Sequence, residues 1–324
     1  AAVRALILYP MNALVEDQVS RLRHALDSDP VRKALDEHLG GNRIYFGRYN
    51  GSTPVAGHPV EPGGTPNQNK RDACNRQLDE MRKLDAAMTS QLATCEAALV
   101  DAERGLEEVL RGGGDLAQFD AAHRAAVQAL LKCRESRLFV ARTDAESAEM
   151  LHRWEMQRRP PDILVTNISM LAVMLMRHRD PTLGGKDLAD GDIIEATKAW
   201  LAADTEHHVF QLVVDELHLH RDSAGTEVAY LLRLLLARLG IGPDSPQLRI
   251  LASSASLEGK EAFRFLGEFF GIDADSARKR FHVEVGVPLH RPADGAALPP
   301  DVGQRLARLG RRDPDVVDPA QFAQ

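Results

Sequence analysis

The run Phe210-Gln211-Leu212-Val213-Val214-Asp215-Glu216-Leu217-His218 decides the fold. Its apolar first half reads as a buried strand, with two adjacent carboxylates and then a histidine at the C-terminal end. Near-continuous apolar strands belong to parallel sheets covered by helices on both faces. Acids at such an end can hold a divalent ion with one carboxylate and polarise water with the next. A second apolar run, Leu248-Arg249-Ile250-Leu251-Ala252, ends in the small turn Ser253-Ser254-Ala255-Ser256. The pair fits an α/β fold that hydrolyses nucleotides.

Outward from this pair, strand-like and helical runs alternate, the pattern of a parallel sheet flanked by helices. Leu6–Tyr9 reads as a strand and Asn12–Leu26 as a helix with Leu14, Val15, Val19, Leu22 and Leu26 on one stripe. Asn42–Tyr49 predicts another strand, leading into Asn50-Gly51-Ser52-Thr53-Pro54 and a Gly/Pro-rich loop to about Pro66. Pro161–Asn167 predicts a strand and Ile168–Arg177 the helix after it. The strand Gln211–Val214 precedes a helix Thr226–Leu239, and the strand Leu248–Ala252 precedes a helix Lys260–Phe270. Beyond about Leu289 the chain is Pro-, Ala- and Arg-rich and reads as a linker.

Residues 70–150 differ in composition, with Ala, Glu, Arg and Leu dominant and Pro absent. Leu78, Met81, Met88, Leu92, Cys95, Leu99, Ala102, Leu106 and Val109 fall on alternating three- and four-residue steps, and Asp85 alone breaks the heptad. Gly112-Gly113-Gly114 should stop this helix, and a second helical segment runs from about Leu116 to Arg134. The expected organisation is a sheet domain over 1–66 and 151–288, interrupted at 67–150 by a helical hairpin, with a linker at 289–324. The apolar seam should pack within the hairpin, although a dimerising coiled coil or a docking arm for a partner protein would use the same pattern.

At 324 residues, 44% hydrophobic and 27% charged, the chain is of ordinary globular composition with room for a sizeable core. No apolar stretch approaches the ~20 residues of a membrane span, and no charged-then-apolar leader is present. Cys74, Cys95 and Cys133 are too few and scattered for a disulfide framework or a Cys-rich zinc site, which suggests a reducing, cytoplasmic setting. A net charge of −7 argues against a general basic coat for nucleic acid, but a local groove of backbone amides would still bind one. The abrupt opening strand suggests a piece of a longer protein.

Five of these segments resemble, in order, the motifs of superfamily 2 DNA/RNA helicases. Tyr9-Pro10-Met11-Asn12-Ala13-Leu14-Val15-Glu16-Asp17-Gln18 resembles the motif after the P-loop helix, and Tyr49-Asn50-Gly51-Ser52-Thr53-Pro54 a tyrosine-glycine turn of one branch. Pro161–Asn167 is similar to the PDILVTN motif, Asp215–His218 to the DExH box, and Ser254-Ala255-Ser256 to the SAT motif. The resemblance is nearest to large bacterial DExH helicases, MrfA-like repair enzymes and phage-defence helicases, which share a run like Gly225-Thr226-Glu227 after the box. It implies the first RecA-like lobe of an ATP-dependent translocase, with a P-loop before Ala1 and a second lobe, bearing an arginine finger, after Gln324. No G-x-x-x-x-G-K-[ST] occurs in the chain.

The resemblance also implies roles. Asp215 would hold Mg²⁺ through water, beside ATP, and Glu216 would activate the attacking water. His218, placed by strand alternation on the side of Glu216, would link the nucleotide to Ser254 and Ser256. Pro10, Met11, Asn12, Gly51, Thr166 and Asn167 would line the nucleic-acid side, DNA in preference to RNA, at turns where helix N-termini can hold phosphates. Arg43, Arg48, Arg142 and Arg153 read as solvated surface before phosphate ligands. Two other readings stay open: an inactive RecA-like scaffold whose hairpin docks a partner, and a metallohydrolase using His218-Leu219-His220-Arg221-Asp222, which is similar to part of the metallo-β-lactamase zinc motif. In the latter, Ser223 stands where that motif has histidine.

Overall fold

A computed structural model describes residues 1–62, 64–112, 116–177, 188–220, 222–255, 257, 259–284 and 286. The chain divides into two units, Ala1–Phe281 and His282–Gln324, and every element named below belongs to the first. The segment expected as a linker, 289–324, lies outside the described residues.

Six strands form one parallel sheet: β1 (Ala5–Tyr9), β2 (Phe46–Tyr49), β3 (Glu149–Met150), β4 (Ile163–Asn167), β5 (Phe210–Val214) and β6 (Leu248–Ala252), in the order β3-β2-β4-β1-β5-β6. This is an α/β fold consistent with a RecA-like lobe that carries an inserted helical region. All strands run the same way, so the loops after β1, β2, β4, β5 and β6 emerge at one sheet edge.

The register separates two apolar layers. Ile7, Phe46 and Val165 face α1 (Asn12–Asp27), whose Val15, Val19 and Leu22 pack on them. Leu6, Leu164 and Leu212 are paired across the sheet and point to the opposite face. There α6 (Ile168–Met176), α7 (Gly191–Ala203) and α8 (Asp222–Leu239) supply Leu171, Met174, Ile193, Leu235 and Leu239. The strand expected from Asn42 begins only at Phe46, where the ladder with β4 starts.

Several elements have no counterpart in the expectations: α2 (Asp29–Leu39), the two-residue β3, α5 (Arg153–Arg158), α7 and α10 (Ala274–Arg280). The helix after β6, α9 (Gly259–Phe270), stands where the sequence places it.

The inserted arm consists of α3 (Gln68–Gly112) and α4 (Leu116–Arg137), which pack against each other. At 45 residues, α3 is about 68 Å long at 1.5 Å per residue. Its heptad positions are half-buried while most positions between them are exposed, so the seam is spent inside the hairpin. Asp85, the break in the heptad, has a purpose. Its carboxylate pairs with Arg137 at 2.6 Å, the last residue of α4, and accepts hydrogen bonds from the backbone N–H and hydroxyl of Thr143, both at 2.8 Å. Apolar residues left exposed on the arm, Leu84, Val100 and Leu131, are spaced singly along it. Among the described residues no helix is long and apolar enough to cross a membrane.

Candidate functional site

β5 ends at Val214, and the backbone leaves the sheet abruptly. Asp215 N–H still donates to Leu8 O at 3.0 Å, but Glu216 adopts the left-handed conformation (φ 53°, ψ 45°). For a residue with a Cβ that conformation is strained and must be held by its surroundings. Here the turn after β6 holds it: Leu217 N–H donates to Ser253 O at 2.8 Å, Ser253 N–H to Val214 O at 3.1 Å, and Glu216 N–H to Ser253 Oγ at 3.2 Å. The Ser253 hydroxyl in turn donates to the Asp215 carboxylate. Ser253, outside the expected pair Ser254 and Ser256, therefore bonds both residues of the acid pair directly. Ser254 is half-buried in the same turn, and Ser256 lies outside the described residues.

His218 does sit beside Glu216, but strand alternation is not the reason. Residues Leu217–Leu219 form one 3₁₀ turn, and the left-handed step at Glu216 brings His218 Nδ1 to 3.1 Å from Glu216 Oε2. The same nitrogen lies 3.4 Å from the N–H of Ala255. Nδ1 cannot serve both. Protonated, it donates to Glu216; deprotonated, it accepts from Ala255. The shorter, charge-assisted contact is the stronger of the two.

His220 is turned away into the core. It is 8% exposed and stacks on Phe269 with ring centroids 6.3 Å apart. Burial first, and the neighbouring His218 charge second, push its pKa down. Among the described residues no three His, Cys, Asp or Glu gather as a metal-binding group; the Asp222 side chain is outside them.

Burial of His220 makes stability depend on pH. The unfolded chain protonates this imidazole near its ordinary value of 6.5 while the folded chain resists it, so the unfolded state binds more protons below that pH. Stability should therefore be complete above about pH 7 and fall as the pH is lowered through 6.5. His152, also pushed down by burial and then by Arg158, acts in the same direction. Glu155, raised by burial, partly opposes them at the acid end. Urea midpoints measured at several pH values should show this slope, and the double variant His152→Gln/His220→Gln should flatten it.

The glycine of Gly225-Thr226-Glu227 has a packing reason. A Cβ on Gly225 would lie 2.2 Å from the carbonyl oxygen of His220. Gly225→Ala should cost about 1–3 kcal/mol, the range for overpacking a tight site, and should shift the 215–220 loop. Thermal melts and the amide NMR shifts of that loop would report both effects.

Of the proposed nucleic-acid residues, Met11 and Asn12 are exposed, Pro10 is half-buried, and α1 begins with no side-chain cap. Its first backbone N–H groups are orphan donors facing the loop edge. Gly51 is exposed, and an added Cβ would meet nothing within 4 Å. Thr166 corrects the expectation: it is fully buried, and its hydroxyl donates to Tyr49 O. Asn167 caps α6 through Met170 N–H at 2.7 Å and donates to Asn12 Oδ1 at 2.6 Å. These two residues tie three loops together from beneath rather than offering themselves at the surface.

The Asn50–Gly51 turn rests on a buried network with no signature in sequence. The Tyr49 hydroxyl donates to Asp190, Gln157 Nε2 donates to both Tyr49 Oη (2.9 Å) and Asp190 Oδ1 (2.7 Å), and Arg177 pairs with Asp190 Oδ2 at 3.5 Å, too long for a hydrogen bond. Burial, then Asp190, drive the Tyr49 pKa well above its usual value. The Arg153 guanidinium lies 5.3 Å over the Tyr49 ring and donates to Asn50 O at 2.6 Å. Arg153 is thus buried rather than solvated. Arg43, Arg48 and Arg142 are likewise mostly covered and paired with Asp36, Glu16 and Asp29.

The fold and this edge define an α/β lobe of RecA-like architecture with paired acids at a strand terminus. No protein-family model and no solved structure matches the chain. Its sequence is homologous to Druantia protein DruE of Escherichia coli (strain UMEA 4076-1), 32% identical over 296 residues, covering 89% of this chain. The match spans only 14% of the length of DruE.

Proposed function

We propose that this chain is the first RecA-like lobe of an ATP-dependent DExH-type helicase or translocase acting on nucleic acid, DNA in preference to RNA. The similarity to Druantia protein DruE favours a role of the longer protein in defence against phage. The observation that carries the reading is one juxtaposition: Asp215 and Glu216 after β5, bonded to the Ser253 turn after β6, at the same edge as the uncapped start of α1.

The donor set suits the expected ion. A carboxylate and a hydroxyl are hard oxygen groups, and Mg²⁺ uses one or two carboxylates with substrate phosphates completing its shell. Bound Mg²⁺–ATP would supply the phosphoryl group to be transferred and neutralise the charge it develops. Asp215, and through it Ser253, would hold that ion. Glu216, half-exposed and turned out of the sheet, would accept the proton of the attacking water at its carboxylate. His218 Nδ1 would then link the charge of Glu216 to the turn at Ala255, since only one of the two can occupy it. The orphan N–H groups at Met11–Asn12 and the exposed Gly51 turn would take backbone phosphates, which carry no base sequence.

The direct test is ATP hydrolysis by a protein of DruE-like extent containing this chain. The expected result is Mg²⁺-dependent turnover, raised by single-stranded DNA and lost in Asp215→Ala. Absence of turnover with Mg²⁺ and DNA, or turnover unaffected in Asp215→Ala, would refute the reading.

A further inference from the structure

A cavity of about 270 Å³ lies between one face of α8 (Gly225, Ala229, Tyr230, Arg233) and Phe265, Glu268 and Phe269 of α9, with His220 in its wall. We infer that this groove binds a nucleobase, either of a free nucleotide or of one unit in a single strand.

The walls are aromatic. Tyr230 is 64% exposed, and the Arg233 guanidinium stands 5.6 Å over its ring. Phe265 stacks on Phe269 at 5.6 Å, and Phe269 on His220 at 6.3 Å. Such faces stack with any planar heteroaromatic ring, and bases are held in this way on single-strand platforms.

The polar groups call for a ligand with both donors and acceptors on its edge. Arg233 Nη2 is occupied by Glu268 O at 2.6 Å, but Arg233 Nε is buried without a hydrogen-bond partner, as is His220 Nε2. Of the two, His220 lines the cavity while Arg233 Nε lies against Gly271; an unpaired buried imidazole nitrogen is costly and uncommon, and a polar group of a ligand at this wall would relieve it. The exposed Glu268 carboxylate offers an acceptor. Charge argues against a phosphate or carboxylate ligand: Arg233 and Glu268 carry opposite charges, and burial disfavours the charged form of His220. Size agrees, because the cavity lies just below the ~300 Å³ at which drug-sized pockets begin. The inference does not rest on ATP turnover, since a base could be held whether or not Glu216 functions.

Two readouts on the full protein test it. The first is photocrosslinking of single-stranded DNA carrying 5-bromodeoxyuridine, with the linked peptide identified by mass spectrometry. The second is saturation-transfer NMR with AMP and UMP. The expected crosslink falls on the peptide bearing Tyr230 or on the one bearing Phe265. Tyr230→Ala, at an exposed position, should weaken it about tenfold, the loss that follows removal of a base-stacking aromatic. Saturation transfer to AMP or UMP that Tyr230→Ala removes, with competition against the crosslink, assigns the base to a free nucleotide; a crosslink without competition assigns it to a strand. Glu216→Gln should leave both signals in place, so failure of the ATPase reading is told apart. Neither signal in wild type, or both unchanged in Tyr230→Ala and Phe265→Leu, overturns the inference.

Discussion

Glu216→Gln, in a protein of DruE-like extent that contains this chain, should lower ATP turnover by about 10²–10⁴-fold, the usual contribution of a positioned general base, while ATP binding persists. The substitution is nearly isosteric, and the contacts that fix the turn are made by backbone: Leu217 N–H to Ser253 O and Glu216 N–H to Ser253 Oγ. The loop should therefore keep its shape and lose only its proton acceptor. Glutamine also removes the charge from the contact with His218 Nδ1, which weakens it relative to that nitrogen's contact with Ala255 N–H. Phosphate release measures the turnover and a fluorescent ATP analogue the affinity. Undiminished turnover would remove Glu216 from the base role.

How much of this was legible in sequence depends on what each element leans on. The strands β1, β4 and β5 are apolar runs largely buried within the sheet, and β6 is an apolar run at its edge; each carries its signal within five residues and was readable. So was α3, whose heptad survives in its half-buried positions. The elements that escaped are short or lean on distant partners. β3 is two residues long and exists because Phe46 and Gly47 pair with it. α7 starts at Asp190-Gly191-Asp192, where the Asp192 carboxylate accepts from Ala189 N–H at 2.9 Å, a short start signal without a long apolar period behind it, and the helix is placed by the layer it covers on the sheet.

The site divides in the same way. The acids at 215–216 stand at a strand end, as their apolar prefix announced. The left-handed turn at Glu216 could not be foreseen, because it is imposed by hydrogen bonds from Ser253, almost forty residues away in the chain. Strand alternation thus gave the right neighbour for Glu216 by the wrong geometry. Thr166 failed as a surface residue for a related reason: the polar side chain at the end of a buried strand was claimed by Tyr49 O of the adjacent strand. Of the four arginines read as solvated, Arg48 and Arg142 were absorbed by acids far along the chain, Arg43 by Asp36 seven residues before it, and Arg153 by a backbone carbonyl and a tyrosine ring. Long-range pairing of this kind leaves no local pattern.

Glu149→Ala should destabilise the fold by about 3–5 kcal/mol, the cost of leaving a buried charge without its partner. β3 offers the sheet only a two-residue ladder, so side chains must hold the return of the chain from the hairpin. Glu149 receives Arg23 of α1 through two bonds, at 2.6 and 2.8 Å, while Arg23 Nη1 also donates to Leu138 O at 3.1 Å. The side chains are 11% and 4% exposed, so neither charge can turn to water. The same clasp continues with Asp27 accepting from Ala148 N–H at 3.2 Å, and with Arg142 bound to Asp29 at 2.7 Å. Removing Glu149 strands Arg23 in this setting, against a typical domain stability of roughly 5–15 kcal/mol. Urea denaturation should register the loss, and amide exchange should show it concentrated at 138–150 and at the neighbouring β2. The double variant Arg23→Met/Glu149→Leu separates causes. If desolvated charge is the source, apolar replacement of both partners recovers most of the stability. If the pair instead supplies net attraction, the double variant stays as unstable as the single one.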